Sequence, residues 1–217
     1  DENGKDVIVG IDVSVAEKIA EDMGLELEIV DIGFDNLLTA MDKGQCDIVI
    51  AAMEQDAERD LVADFSDPYY TDLPPMILVK KDAAAQFTSL ESFAGLTVGA
   101  QTGTTKEDIV VNDLTGAELL SLATVNDLVN NLVYDKCSAL VLDGAVAMKY
   151  AETNASLVVC KAISLGEAAP YRVAVKEGDP KGLLESINKT LAQITTDGTM
   201  DQYIAEAEAN SASALEG

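Results

Sequence analysis

The chain has 217 residues, enough for one large or two small domains with cores of their own. Fourteen basic residues against 39 acidic ones give a formal charge of −25, which argues against nucleic acid or anionic lipid as a partner, because both need clustered Lys and Arg. Histidine is absent, so Ser-His-Asp and Cys-His catalysis are excluded.

Val13, Ala16, Ile19, Ala20 and Met23 share one helical face, and Gly24 is placed to end that helix. Leu25, Leu27 and Ile29 then alternate as a strand. Asp35 can cap a second helix carrying Leu37, Leu38 and Met41, which stops at Lys43-Gly44. The run Asp47-Ile48-Val49-Ile50-Ala51-Ala52 is apolar almost throughout, as suits a parallel strand buried on both faces. Pro75-Met76-Ile77-Leu78-Val79 reads as a strand, followed by a strand at Thr97–Ala100, a helix from about Thr105 and another over Asn126–Val133. Ala139–Leu142 is a further buried strand, with a helix from Gly144 to about Ala151. Leu157–Val159 and Tyr171–Val175 are the last strands, and helices near Lys181–Ile194 and Thr199–Ala207 finish the chain. Repeated β-α units imply parallel sheets covered by helices.

The stretch Met41–Ile50 echoes Tyr134–Leu142, each a helix end, a turn and a buried strand, although any two such units look alike. The three cysteines, Cys46, Cys137 and Cys160, lack CxxC spacing, which argues against a disulfide framework or a zinc site. A single Cys137–Cys160 bridge stays open. No apolar run approaches the ~18 residues of a membrane span. Any export segment ahead of Asp1-Glu2-Asn3-Gly4 is expected to have been removed or left out.

Several motifs carry a resemblance. Gly10-Ile11-Asp12-Val13-Ser14-Val15-Ala16 resembles the opening helix signature of the bacterial family 3 solute-binding proteins, the polar-amino-acid receptors of ABC importers. Gly44–Met53, Glu58-Arg59 and Asp64–Tyr70 are similar to that family's longest motif. Val98–Thr105, Leu140–Asp143, Pro170–Lys176 and Asp197–Met200 match further motifs in order, over nearly the whole chain. The resemblance implies a two-lobed α/β fold of the type II periplasmic-binding-protein kind, each lobe a mainly parallel sheet flanked by helices. Lobe 1 would comprise 1–79 and 177–217, and lobe 2 would comprise 80–176, joined by two hinge strands with an amino-acid cleft between them. Relatives begin with a strand that this sequence lacks. The strand is expected to be cleaved, omitted or supplied by another chain, so a strand-swapped dimer is among the expectations.

A free amino acid offers a carboxylate beside an ammonium. Arg59 matches the family's carboxylate-binding arginine, whose planar fork makes two parallel hydrogen bonds. Thr104 and Thr105 sit where a strand passes into a helix, a place that favours anions. The resemblance gives them the same carboxylate, although alone they could be an N-cap or a degenerate phosphate loop lacking the GxxxxGK[ST] spacing. By resemblance Asp143 holds the ammonium, with an N-cap role as the alternative, and the carbonyl of Ala52 accepts from the same ammonium. Phe34 flanks the ligand side chain or else belongs to the core, while Gln101 and Leu142 touch that side chain. Met53 and Gly103 complete the ligand-binding set. Glu54 stands where relatives carry Ser or Thr. It either turns outward, leaving its backbone N–H to donate, or pairs with an extra cation on arginine, lysine or ornithine, a preference to which Asp56 adds weight.

The resulting expectation is an extracytoplasmic receptor without enzymatic activity, cofactor or metal, in the periplasm or as a lipoprotein on a Gram-positive cell. It would close on its ligand and deliver it to an ABC permease. A sensory module of the same fold is the alternative. A fold-derived prephenate or arogenate dehydratase is a third, and would need an acid of raised pKa in the cleft, for which only Glu54 is available.

Overall fold

The computed structural model describes residues 8–213, with side chains as far as Asn210. The opening Asp1-Glu2-Asn3-Gly4 segment lies outside them. In chain order the first elements are α1 (Ile11–Met23), α2 (Leu37–Asp42), β1 (Ile48–Val49), β2 (Ala63–Phe65), β3 (Tyr70–Thr71) and β4 (Met76–Lys80). Next come β5 (Thr97–Gln101), α3 (Thr105–Asn112), β6 (Glu118–Leu122), α4 (Val125–Val133), β7 (Ala139–Leu142) and α5 (Gly144–Thr153). The chain ends with β8 (Leu157–Val159), β9 (Pro170–Tyr171), β10 (Ala174–Lys176), α6 (Leu184–Ile194) and α7 (Thr199–Ser213). Two compact units result: Asp1–Ile32, Asn36–Tyr70 and Pro170–Gly217 form the first, and Gly33–Asp35 with Thr71–Ala169 form the second.

The second unit is built on a five-stranded sheet in the order β6-β5-β7-β4-β8. Strand β5 runs parallel to β6 and β7, while β4 is antiparallel to β7 and β8. Because side chains alternate along a strand, the apolar runs feed two separate cores. Ile77, Val79, Ala139 and Val141 join Val98, Val110, Leu114 and the stacked pair Phe87–Phe93, while Leu78, Leu140 and Leu142 join Leu128, Leu132 and Ala147. A side chain buried in this way contributes about 1.5–3 kcal/mol. The edge strand β6, absent from the sequence reading, has exposed Leu119 beside half-buried Leu120 and Leu122, a pattern too weak to stand out.

The first unit holds the antiparallel sheet β1-β10-β2, backed by Val15, Ile19, Val173, Val175, Ile187, Leu191 and Ile194. Tyr70–Thr71 and Pro170–Tyr171 form a separate two-stranded sheet. The expected strand Tyr171–Val175 is therefore split. At the break, Arg172 N–H donates to the Met53 carbonyl and Val173 N–H to Ser66 Oγ, so both leave the regular ladder. The expected strand at Asp47–Ala52 shortens to Ile48–Val49. Helix α6 starts three residues later than expected, and the Asp179 carboxylate accepts from the N–H groups of Leu183 and Leu184 at its start. Asp35 does not cap α2: Phe34–Asn36 is a 3-10 turn, and the N-cap residue of α2 is Asn36, without a side-chain cap bond.

The strand expected at Leu25, Leu27 and Ile29 is not formed. These residues, with Val30, are exposed at 59%, 38%, 45% and 47% in order. A strand needs a neighbour to share its ladder, and none is present among the described residues. The face of α1 read as core is also shifted. Val15 and Ile19 are the buried residues, while Ala16, Ile19, Ala20 and Met23 line a trough of ≈ 450 Å³ with Leu25, Leu27, Val30 and Ile48.

Three helices end in one way. Gly24, Gly44 and Asp135 each take a left-handed conformation, and the next residue's N–H reaches back to Ala20, Ala40 and Asn131 respectively. This is the Schellman closure, so the echo between Met41–Ile50 and Tyr134–Leu142 is a shared turn that α1 uses too. All three cysteines are free thiols, which removes the Cys137–Cys160 bridge, and burial pushes the Cys137 thiol up to about 11.

Candidate functional site

The expected site residues fall into two groups, one in each compact unit. In the first unit the chain leaves β1 through Ile50 and Ala51 and turns at Ala52, whose φ of 49° is left-handed. An L-alanine in that conformation costs about 1–2 kcal/mol, so other contacts must hold it. The Ala52 N–H donates to Asp12 Oδ2 at 2.8 Å, and Tyr69 Oη donates to Asp12 Oδ1 at 2.7 Å. Burial raises the Asp12 carboxyl from its ordinary value, against the lowering pull of the bonds from Tyr69 and Ala52. The Tyr69 hydroxyl is raised well above its usual value, first by burial and then by the Asp12 charge.

Met53 is a core residue, and its carbonyl is taken by Arg172 N–H at 2.9 Å. Glu54 is 8% exposed and bridges to Tyr171 through its backbone. The outward, solvent-facing placement considered for it does not occur. Arg59 opens a 3-10 turn, with a side chain 11% exposed. Its Nη1 donates to the Glu54 carbonyl at 2.5 Å, and its Nε lies 3.3 Å from Asp56 Oδ2. Asp56 Oδ1 also accepts from the N–H groups of Glu58 and Arg59. Asp56 therefore anchors the arginine through both its backbone and its side chain.

In the second unit β5 leads through Gln101–Thr104 into α3. Gln101 Nε2 donates to the Ala123 carbonyl, and Thr104 Oγ1 donates to the Gln101 carbonyl. Gly103, at φ 78°, donates its N–H to the Glu107 carboxylate at 2.8 Å. Glu107 and Asp108 place negative charge in the first turn of α3, where the helix dipole favours it. Thr105 begins the helix and is half-buried. Leu142 ends β7 as a buried core residue. Asp143 occupies the N-cap position of α5 without a side-chain cap bond, so the capping role considered for it is not made. Its Oδ1 lies 2.5 Å from Lys106 Nζ instead, with side chains 31% and 6% exposed respectively. Phe34 is half-buried, in the segment grouped with this unit.

Asp12, Tyr69 and Lys106 were not among the expected site residues. Asp12 and Tyr69 stood inside the family motifs without a role. Lys106 follows Thr104-Thr105 directly and reads in sequence as a surface lysine. Among the described residues no group of His, Cys, Asp and Glu is arranged to hold a metal ion, and no helix is long and apolar enough to cross a membrane.

The decisive comparison is with protein families, where the model for bacterial extracellular solute-binding proteins, family 3, matches residues 1–206. The chain belongs to that family. Among family relatives, the arginine-binding extracellular protein ArtP of Bacillus subtilis is 33% identical over 204 residues, covering 91% of this chain and 76% of its own. An amino acid ABC transporter substrate-binding protein, AbpA from Streptococcus pneumoniae, solved with L-arginine bound, superposes with a TM-score of 0.89 at 32% identity. That match covers 96% of this chain and 87% of the other. The ancestral amino-acid-binding protein AncCDT-1, described as a precursor of cyclohexadienyl dehydratase, has a TM-score of 0.82 at 32% identity, covering 95% and 87%. These solved relatives share the mixed α/β fold of the type II periplasmic-binding-protein kind expected from the motifs.

Proposed function

We propose that this chain captures a free amino acid, with arginine as the first candidate, and delivers it to the permease of an ABC importer from an extracytoplasmic location. The two compact units are the two lobes in this reading. Arg59, Thr104 and Thr105 take the ligand carboxylate, with Gly103 beside them, and Asp143 and the Ala52 carbonyl take the ammonium. Phe34, Met53, Gln101 and Leu142 shape the surroundings, and Glu54 meets a cationic side chain. The observation that carries the reading is Arg59, a largely buried guanidinium oriented by Asp56 and the Glu54 carbonyl. A planar fork held in this way is suited to a carboxylate. The arginine named for ArtP and AbpA and the net charge of −25 support a cationic ligand. Relatives named as binding proteins support a receptor rather than an enzyme.

A thermal-shift series against the twenty amino acids, ornithine, citrulline and cystine tests it. A ligand at ~1,000 times its dissociation constant should stabilise the fold by roughly 4 kcal/mol, and the expected responders are arginine, lysine and ornithine. A series without any response sinks the proposal.

The trough beside α1 bears on the partner. We propose that an extended strand from a second copy lies between Leu25–Val30 and β1, giving both a ladder neighbour and covering the exposed leucines. Light scattering coupled to gel filtration should report a dimer near 50 μM, and a monomer at that concentration overturns the idea.

A further inference from the structure

We infer that Asp12 and Tyr69 are positioning residues, which together hold the Ala52 peptide in a left-handed turn that presents its carbonyl to the ammonium of a bound amino acid. The inference rests on the proposed role of Ala52 as an ammonium acceptor.

Four observations lead to it. Ala52 has a backbone conformation that only glycine adopts without strain, and alanine has no polar side chain with which to stabilise it locally. Asp12 sits in the first turn of α1, where a carboxylate ordinarily serves its own helix. Its oxygens instead reach 40 residues along the chain to the Ala52 N–H and 57 residues along to the Tyr69 hydroxyl. Tyr69 is itself fixed, being 3% exposed and packed in the core with Tyr171 and Val173. One hydroxyl held by packing thus orients one carboxylate, and that carboxylate orients one peptide.

The fourth observation concerns the carbonyls of the same turn. That of Met53 is taken by Arg172 N–H, and that of Glu54 by Arg59 Nη1. Among the described residues no donor reaches the Ala52 carbonyl. The network therefore fixes a peptide whose N–H is used inside the unit and whose oxygen is left for an outside donor. An ammonium is the fitting donor, because a cation strengthens a bond to a neutral carbonyl.

The test pairs two ligands with conservative variants. Tyr69→Phe removes the hydroxyl and keeps the ring. It should weaken L-arginine about tenfold, the effect of one well-placed charged hydrogen bond. Binding of 5-guanidinopentanoic acid, which lacks the ammonium, should change by less than about threefold on the same reasoning. Asp12→Ala should act at least as strongly as Tyr69→Phe, and Asp12→Asn, which keeps an acceptor for the Ala52 N–H, should recover most of that loss. Equal weakening of both ligands would mean a general structural role and overturns the inference. Amide exchange in the ligand-free protein provides a second readout: Tyr69→Phe should speed exchange at Ala52 while leaving Val49 in β1 unchanged, and unchanged Ala52 exchange also overturns it. If the unmodified chain fails to bind L-arginine, the reading of the ligand has failed, and the exchange measurement still decides the role of Asp12 and Tyr69.

Discussion

Arg59→Met is expected to weaken binding of the responding amino acid by two to three orders of magnitude. The substitution keeps an aliphatic stem of similar reach and removes only the guanidinium. Two charge-assisted hydrogen bonds to a carboxylate, at about 1.5–3 kcal/mol each, account for a loss of that size. The frame around the arginine makes the effect separable. Asp56 holds the Arg59 backbone through Oδ1 and the side chain through Oδ2. Asp56→Asn keeps the first contact and sets an amide N–H against Nε in place of the second. It should give an intermediate loss, about tenfold, by misdirecting the fork. Isothermal titration with L-arginine measures both, and an Arg59→Met protein that binds within threefold of the parent removes Arg59 from the carboxylate role.

The second large effect is on stability. Lys106 and Asp143 form an ion pair with one nearly buried partner and one about a third exposed. Breaking a buried pair from one side costs about 3–5 kcal/mol, and partial solvation of Asp143 reduces this to about 2. For a chain of this size that lowers the thermal midpoint by roughly 4–8 °C in Lys106→Met. Adding Asp143→Asn removes the carboxylate that has lost its Lys106 partner, so the double variant should be more stable than the sum of the single changes predicts. Strict additivity in scanning calorimetry means that the pair contributes nothing. Lys106→Met also restores the full Asp143 charge toward an ammonium, so it should leave amino-acid affinity level or tighter, whereas Arg59→Met lowers it.

Much of the fold could be read locally. Helix α1 ends at Gly24 and α2 just before Gly44, as read, because a left-handed closure favours glycine and acts over six residues. Strands β4, β5, β7 and β8 lie where apolar runs of buried-strand length placed them, since burial on both faces leaves a signature within one strand. Leu25–Ile29 shows the limit of this reasoning. Its alternation is that of a strand, yet a strand is a relation between two segments, and its partner was not decided by its own residues.

The working side chains divide in the same way. Sequence singled out Arg59, Asp143 and the Thr104–Thr105 turn as candidates, because motif spacing and the strand-to-helix junction are short-range features. Tertiary structure decided what each group is bonded to: Asp143 to Lys106 across two elements, Asp12 to Ala52 and Tyr69, and Glu54 into a buried position. A side chain's residue type and its place along a helix or strand are set by near neighbours in the chain. The charge or hydrogen bond that neutralises it is set by distance in space, and only the packing of the sheet and helices fixes that distance.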